Sequence, residues 1–124
     1  MSEENLKKLL ACSVEVALLF LANKWQMLIL RDLLAGSRRS SDLKRAVGKI
    51  SQKVLTANLR LMEMHGLLAR MVFAEMPLRV EYTLTDLGRT LEPVLQQLAA
   101  WGEHYRELSC HKTESAIEYA DDNS

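Results

Sequence analysis

Apolar positions along the chain follow two different repeats, and the change from one to the other divides the predicted secondary structure. Up to Gly66 they recur every three or four residues, which is typical of helices with one buried side. From Leu68 to Leu84 they fall at every second position, which is typical of strands. After Thr85 the spacing of three and four returns. The pattern therefore predicts an α+β protein that is mainly helical, with one short strand region.

The first third of the chain is predicted to hold about three helices. Residues 2–11 form a short amphipathic helix, and Ser13 leads into a second helix that ends near Asn23. A third helix runs from Trp25 to just before Gly36. Trp25 is interpreted as a core residue rather than a platform for a ligand, because its neighbours at helical spacing are aliphatic.

Residues 38–66 predict a helix-turn-helix. A helix near Ser41 to Val47 starts from a serine-rich cap, and Gly48 permits a sharp turn after it. The second helix begins at Ser51, whose hydroxyl can cap free backbone N–H groups, and ends at Gly66. The predicted packing residues are Leu43, Ala46 and Val47 on the first helix and Val54, Leu55, Leu59 and Met62 on the second.

The opposite side of the second helix carries long donors separated by small residues, as does a helix that enters a DNA major groove. This outward set is Gln52, Lys53, Thr56, Ala57 and Arg60, with Ser51 at its start. A solvated helix face is the ordinary alternative. Charge favours DNA: residues 38–60 hold seven basic side chains against Asp42 alone, although the whole chain has no net charge.

Two strands joined across residues 75–78 predict a β-hairpin, and a hairpin directly after a helix-turn-helix is a wing. Arg79, at the tip, is placed to enter a minor groove or hold a phosphate, with Arg70 in support. The alternative is that these arginines pair with Glu75 or Glu81.

A helix of about residues 85–111 is predicted to join two copies of the chain. Thr85 can cap it, and Pro93 should bend it or mark a junction between two shorter helices. Its apolar positions alternate in steps of four and three, as in a coiled-coil seam. The seam consists of Leu87, Leu91, Val94, Leu98, Trp101, Tyr105 and Leu108. A helix folded back on its own domain is the alternative to a two-fold dimer.

Length and composition exclude several classes of protein. A chain of 124 residues fits one domain, assigned here to residues 1–112, with an acidic tail at 113–124 that is expected to be disordered. The N-terminus lacks the pattern of a signal peptide and no apolar run would span a bilayer, so we expect a cytoplasmic protein without membrane contact. No metal-ligand spacing, cofactor motif or paired nucleophile and base is present, which argues against an enzyme.

Several short strings, taken in order, resemble the HxlR-type winged helix-turn-helix regulators, relatives of the MarR group. They are CSVEVAL at 12–18, KW at 24–25, LILR at 28–31, DLKR at 42–45, ISQKVLT at 50–56, LR at 59–60, EMP at 75–77, RVEYTLT at 79–85, Gly88, and WG at 101–102. The chain departs from the family at Ser40, usually aromatic, and at Ser13 and Leu78, where prolines are common.

The resemblance implies a dimeric bacterial regulator of transcription, with residues 51–65 as the recognition helix. Cys12 is the position at which oxidant-sensing and electrophile-sensing members carry their reactive thiol, and Cys110 is near the position of its disulfide partner in some of them. A cysteine just before a helix would have its thiolate favoured by the helix N-terminus. Two incidental cysteines in a reducing compartment are the alternative, as is a small ligand bound between the dimer helices and the first helices.

The leading hypothesis is a homodimer that occupies a palindromic operator in double-stranded DNA and blocks or adjusts transcription. Its phosphate contacts are assigned to Arg38, Arg39, Lys44, Lys49 and Arg79, and its base contacts to Gln52, Lys53, Thr56 and Arg60. The competing hypothesis is a winged-helix module that binds another protein, with the basic face meeting an acidic partner.

Overall fold

The computed structural model describes residues 2–109, without the side chains of residues 6 and 9–11. Within this range the chain forms six helices and one hairpin. The elements are α1 Glu3–Leu21, α2 Lys24–Leu33, α3 Ser40–Val47, α4 Gln52–Met64, β1 Leu68–Phe73, β2 Arg79–Leu84, α5 Asp86–Arg89 and α6 Glu92–Leu108. The chain divides into two compact units, Met1–Arg89 and Thr90–Ser124. The predicted tail at 113–124 lies outside the described residues.

The first third of the chain contains two helices, not the three predicted. α1 is continuous from Glu3 to Leu21, with Ser2 as its N-cap, so the predicted start at Ser13 is wrong. No glycine or proline lies near Ser13 to end the helix, and a serine acts as an N-cap only where its own backbone is not helical. The break at Asn23 is confirmed, because its side chain accepts a hydrogen bond from the backbone N–H of Gln26 at 3.1 Å.

The core of the first unit lies between α2, α3, α4 and the base of the hairpin. Its buried apolar residues are Ile29, Leu30, Leu33, Leu43, Val47, Ile50, Leu55, Leu59, Met62, Leu67, Leu68 and Leu84. Two predicted packing residues are outside it. Val54 is 37% exposed at the edge of the buried stripe, and Ala46 is exposed because Leu43 and Val47 already define the inner side of α3. Trp25, predicted to be core, is half-buried with the Lys24 ammonium 5.1 Å from its ring centroid.

A buried cluster of amides ties α4 to the start of α2. Asn58, which was not predicted to be buried, lies on the buried side of α4 with Leu55, Leu59 and Met62. Its carbonyl oxygen accepts hydrogen bonds from Gln26 Nε2 at 3.2 Å and from Asn23 Nδ2 at 3.3 Å. Its own amide donates to the Val54 carbonyl at 2.9 Å. Because each donor is satisfied, the cluster sets the position of α4 at little cost in solvation.

We expect Asn58→Leu to destabilise the fold by about 1–3 kcal/mol, since the Gln26 amide would remain buried without its acceptor. Adding Gln26→Leu should recover part of that loss, because both partners are then apolar. Urea unfolding of the two variants and the wild type measures both effects. An Asn58→Leu protein as stable as the wild type would contradict the role given to the cluster.

The hairpin confirms the predicted wing. β1 and β2 pair antiparallel with Leu68 opposite Leu84 and Phe73 opposite Arg79, and Pro77 lies in the connection. One further backbone contact of the hairpin was not predicted from the sequence. Arg38, just before α3, forms an isolated bridge with Tyr82 through backbone hydrogen bonds of 3.0 and 2.8 Å. The chain entering the helix-turn-helix is thereby fixed to the wing.

The predicted C-terminal helix is two helices. Thr85 caps α5, because its hydroxyl accepts from the Gly88 N–H at 3.0 Å. A β-carbon at Gly88 would lie 2.0 Å from the Leu67 carbonyl oxygen, so the short helix fits here only with glycine. α6 then begins separately with Pro93 in its first turn, where a missing N–H costs nothing. The junction predicted from Pro93 is thus present.

Candidate nucleic-acid interface

The outward side of α4 carries the side chains predicted for it. Gln52, Lys53, Ala57 and Arg60 are exposed and Thr56 is half-buried. Ser51 is the N-cap, and its hydroxyl accepts from the Val54 N–H at 3.2 Å, as expected. α4 therefore has an ordered start and an exposed polar side.

Gln52 is held in place before any partner arrives. Its side-chain amide donates to Thr56 Oγ1 at 3.1 Å, one turn along α4, and to Ser40 Oγ at 3.3 Å, in the first turn of α3. These hydrogen bonds link α4 to α3 at the exposed surface of the helix-turn-helix. A pre-positioned amide loses less conformational entropy when it binds a partner.

The basic residues of the motif divide into two groups. Arg39, Lys44 and Lys49 are exposed, and no carboxylate in the described part of the chain pairs with them. Arg38 is half-buried and lies 3.7 Å from Asp32, and Arg45 pairs with Asp42 on the same turn of α3. The positive surface is therefore carried by this first group together with the exposed Lys53 and Arg60 of α4, and Arg38 is partly neutralised.

Arg79 does not project freely from the wing. Its guanidinium lies 3.2 Å from Glu75 and 4.1 Å from the centroid of the Phe73 ring, and the side chain is 29% exposed. The pairing with Glu75 is the alternative that the sequence left open. The tip itself is apolar, since Met76 and Leu78 are both exposed.

Arg70 lies on the opposite side of the hairpin from Arg79, so the predicted support of one by the other is wrong. Arg70 faces Tyr82 across the strands, whereas Arg79 faces Phe73, and residues an odd number apart on a strand point to opposite sides. Arg70 instead turns toward α4. It lines a cleft of about 190 Å³ with Thr56, Arg60, Glu63 and Tyr82.

α6, in the second unit, presents much of the predicted seam. Val94, Leu98, Trp101, Tyr105 and Leu108 are exposed, and the Trp101 and Tyr105 rings stack with centroids 5.4 Å apart. Leu87 belongs to α5 and Leu91 is the N-cap of α6, so the predicted seven-residue seam is interrupted before Val94.

Cys12 is exposed in the middle of α1, not just before a helix. Its thiol therefore does not lie at a helix N-terminus, and the expected electrostatic effect of such an end on the thiolate is absent. Cys110 lies outside the described residues. Across residues 2–109 no group of three or more His, Cys, Asp or Glu side chains is arranged to hold a metal ion.

Within the described range, no single helix is long and apolar enough to cross a bilayer. The helical segments Cys12–Leu21 and Lys24–Leu33 reach that length and composition only when they are taken together, and the pair is bent by 75°.

Comparison with known protein families identifies the family of this chain. Residues 20–110 match the family model of the HxlR-like helix-turn-helix, which covers the motif, the wing and α6. The chain belongs to the HxlR-like helix-turn-helix family. It is a helix-turn-helix regulator of transcription and not an enzyme, as its relatives are HTH-type transcriptional regulators.

Among HxlR-like relatives, the uncharacterized HTH-type transcriptional regulator YkvN of Bacillus subtilis is 41% identical over 100 residues, covering 81% of this chain and 85% of its own. A MarR-family regulator of Enterococcus faecalis V583 has a similar crystal structure, with a TM-score of 0.73, 40% identity, and coverage of 82% of this chain and 92% of its own. The redox regulator HypR in its oxidized form gives a TM-score of 0.71 and 38% identity, with coverage of 75% and 96%. The predicted winged-helix fold is confirmed.

Proposed function

We propose that this HxlR-like protein acts as a homodimer that binds a palindromic operator and thereby changes the transcription of nearby genes. The observation that carries the proposal is the exposed polar side of α4, where Lys53 and Arg60 project beside a pre-positioned Gln52. A helix with this side in a major groove reads base edges from its first turns. A regulator of this kind acts in the bacterial cytoplasm, where the chromosome lies.

Affinity and sequence choice are assigned to different side chains. The exposed cations Arg39, Lys44 and Lys49 would contact phosphates, and counterion release would make the affinity fall steeply with salt. Gln52, Lys53, Thr56 and Ala57 would face bases, because they occupy the N-terminal turns of the recognition helix. Arg38 and Arg79 would contribute only after giving up part of their pairing with Asp32 and Glu75.

The two-fold arrangement is assigned to α6. Its exposed seam, with the stacked Trp101 and Tyr105, is apolar enough to pair with the same surface of a second copy. Two recognition helices related by a two-fold axis would then meet two half-sites separated by about one turn of DNA.

We also propose that oxidation of Cys12 controls DNA binding. The thiol is exposed on α1, and HypR, to which the chain is similar, is described as a redox regulator and has an oxidized form. A small ligand in place of an oxidant remains the competing signal, and Cys110 is the candidate partner of Cys12 in a disulfide.

Genome-wide capture of bound DNA tests the operator. We expect a limited set of sites that share an inverted repeat, and duplexes containing that repeat should bind the purified dimer with a strong dependence on salt. Purified protein without salt-dependent affinity for any duplex would favour the alternative, a winged-helix module that binds a protein.

Repeating the capture after oxidant treatment tests the control. Loss of occupancy in the wild type but not in a Cys12→Ser variant is the expected result. Equal loss in both, or in neither, would remove Cys12 from the mechanism and leave the operator assignment untouched.

A further inference from the structure

A cleft between α4 and the wing, lined by Thr56, Arg60, Glu63, Arg70 and Tyr82, brings Arg70 of the wing beside the polar side of α4. We infer that it is a binding site for a single phosphodiester group of the operator backbone. The inference rests on the proposed function and adds a contact to it that the helix-turn-helix alone does not make. The cleft has a volume of about 190 Å³, enough for one phosphate group.

The position of Arg60 on α4 is the first argument. Thr56, Arg60 and Glu63 follow one another at steps of four and three, so they form one stripe along the helix that faces the hairpin. In helix-turn-helix proteins the N-terminal residues of the recognition helix reach the base edges. Arg60 lies well beyond those turns, and its companion across the cleft is a second arginine, which indicates a phosphate rather than a base.

Two guanidinium groups that converge on one cleft suit a phosphodiester. Each can donate two parallel hydrogen bonds to phosphate oxygens. With Glu63 in the same cleft, the two arginines leave one net positive charge, which balances the single negative charge of a phosphodiester. Arg60 and Arg70 are both exposed, and neither forms an ion pair with another residue of the described chain. Their donors are therefore available to an incoming group.

The far wall of the cleft is fixed before binding. Tyr82 sits opposite Arg70 in the hairpin, and its backbone forms two hydrogen bonds with Arg38, at 2.8 and 3.0 Å. The α4 wall is held by the buried Asn58 cluster. A site with both walls ordered recognises a phosphate at one place on the duplex, and so it sets the register of α4 in the groove.

Glu63 is the residue that opposes the anion. It is an exposed carboxylate in the same cleft, and it repels a phosphate while attracting either arginine. Its charge would weaken non-specific binding, since only a duplex that also satisfies the rest of α4 would bring a phosphate into the cleft. Removing this charge should therefore tighten binding to operator and non-operator DNA alike.

The test uses the full-length dimer and an operator duplex obtained from the capture experiment. Arg70→Gln should weaken binding about ten-fold, the value of one charge-assisted contact, and reduce the salt slope by about one per protomer. Glu63→Gln should strengthen binding and steepen the slope. Arg89→Gln, which removes an exposed arginine of α5 outside the candidate interface, should change neither quantity.

A methylphosphonate scan locates the contact. Replacing one backbone phosphate at a time by a neutral methylphosphonate should reveal a position in each half-site that weakens wild-type binding but has little further effect on Arg70→Gln. If Arg70→Gln and Glu63→Gln both bind like the wild type while Lys53→Ala binds weakly, the cleft assignment is overturned and the operator assignment stands. A wild-type protein that binds no duplex would overturn the proposed function and this site with it.

A free phosphate ion is the alternative ligand for this cleft. Inorganic phosphate, compared with chloride at equal ionic strength, should not compete with the operator beyond the general effect of salt. Specific competition by phosphate in the wild type that disappears in Arg70→Gln would assign the cleft to a free anionic ligand and overturn the DNA contact.

Discussion

Replacing Lys53 and Arg60 together by alanine should abolish specific operator binding. Both side chains are exposed on α4, so their removal leaves the core untouched. A base contact or a charge-assisted phosphate contact contributes about 1–3 kcal/mol. The loss of both side chains from each protomer removes four such contacts, so it should weaken binding by about a thousandfold or more. Fluorescence anisotropy with a labelled operator duplex measures the change, and circular dichroism confirms that the helices persist.

The matched control removes the same charges elsewhere. Lys8→Ala with Arg89→Ala takes one lysine and one arginine from exposed positions on α1 and α5. This variant should bind the operator within a few-fold of the wild type, because only the long-range field of the protein changes. Operator binding by the Lys53/Arg60 variant at the strength of this control would show that α4 does not read the DNA.

The exposed side of α4 was predictable because its buried side was. Leu55, Leu59 and Met62 recur at helical spacing, and that fixes the opposite side as the one available to a partner. Asn58 was not predictable in the same way. An asparagine is usually exposed, and what makes it a core residue here is a pair of donors from Asn23 and Gln26, more than thirty positions earlier.

Helix boundaries show a similar limit. Asn23 and Ser51 cap helices as predicted, because the backbone at each residue is extended and the helix begins directly after it. Ser13 has the same capping chemistry but lies inside α1. A capping side chain gives only the opportunity for a helix start, and whether the chain turns there depends on packing between elements.

The two wing arginines were misassigned because strand register was unknown. Alternation along β1 puts Arg70 on one side with Leu68 and Val72, but which residues of β2 share that side depends on the pairing. With Leu68 opposite Leu84, Tyr82 joins Arg70 and Arg79 falls on the reverse side. The cleft beside Arg60 follows from that register and from the packing of α4 on the hairpin, neither of which periodicity can supply.

In the proposed function, operator binding depends on the pairing of two copies through α6. Leu98 is 49% exposed at the centre of the α6 seam, one turn from Trp101. We expect Leu98→Glu to convert the protein from twice the mass of the chain to the 14.1 kDa of one chain. The reason is that a dimer joined through this seam would bury two carboxylates against apolar side chains, which costs several kcal/mol.

Gln96→Glu provides the matched control, because it adds the same charge to α6 on the side away from the seam. Analytical ultracentrifugation should find this variant dimeric and Leu98→Glu monomeric. The monomer should also lose most of its operator affinity, since a single half-site engages only one recognition helix and the gain from linked binding disappears. If Leu98→Glu remains a dimer with full operator binding, the two copies meet through another surface, and the seam on α6 has a different partner.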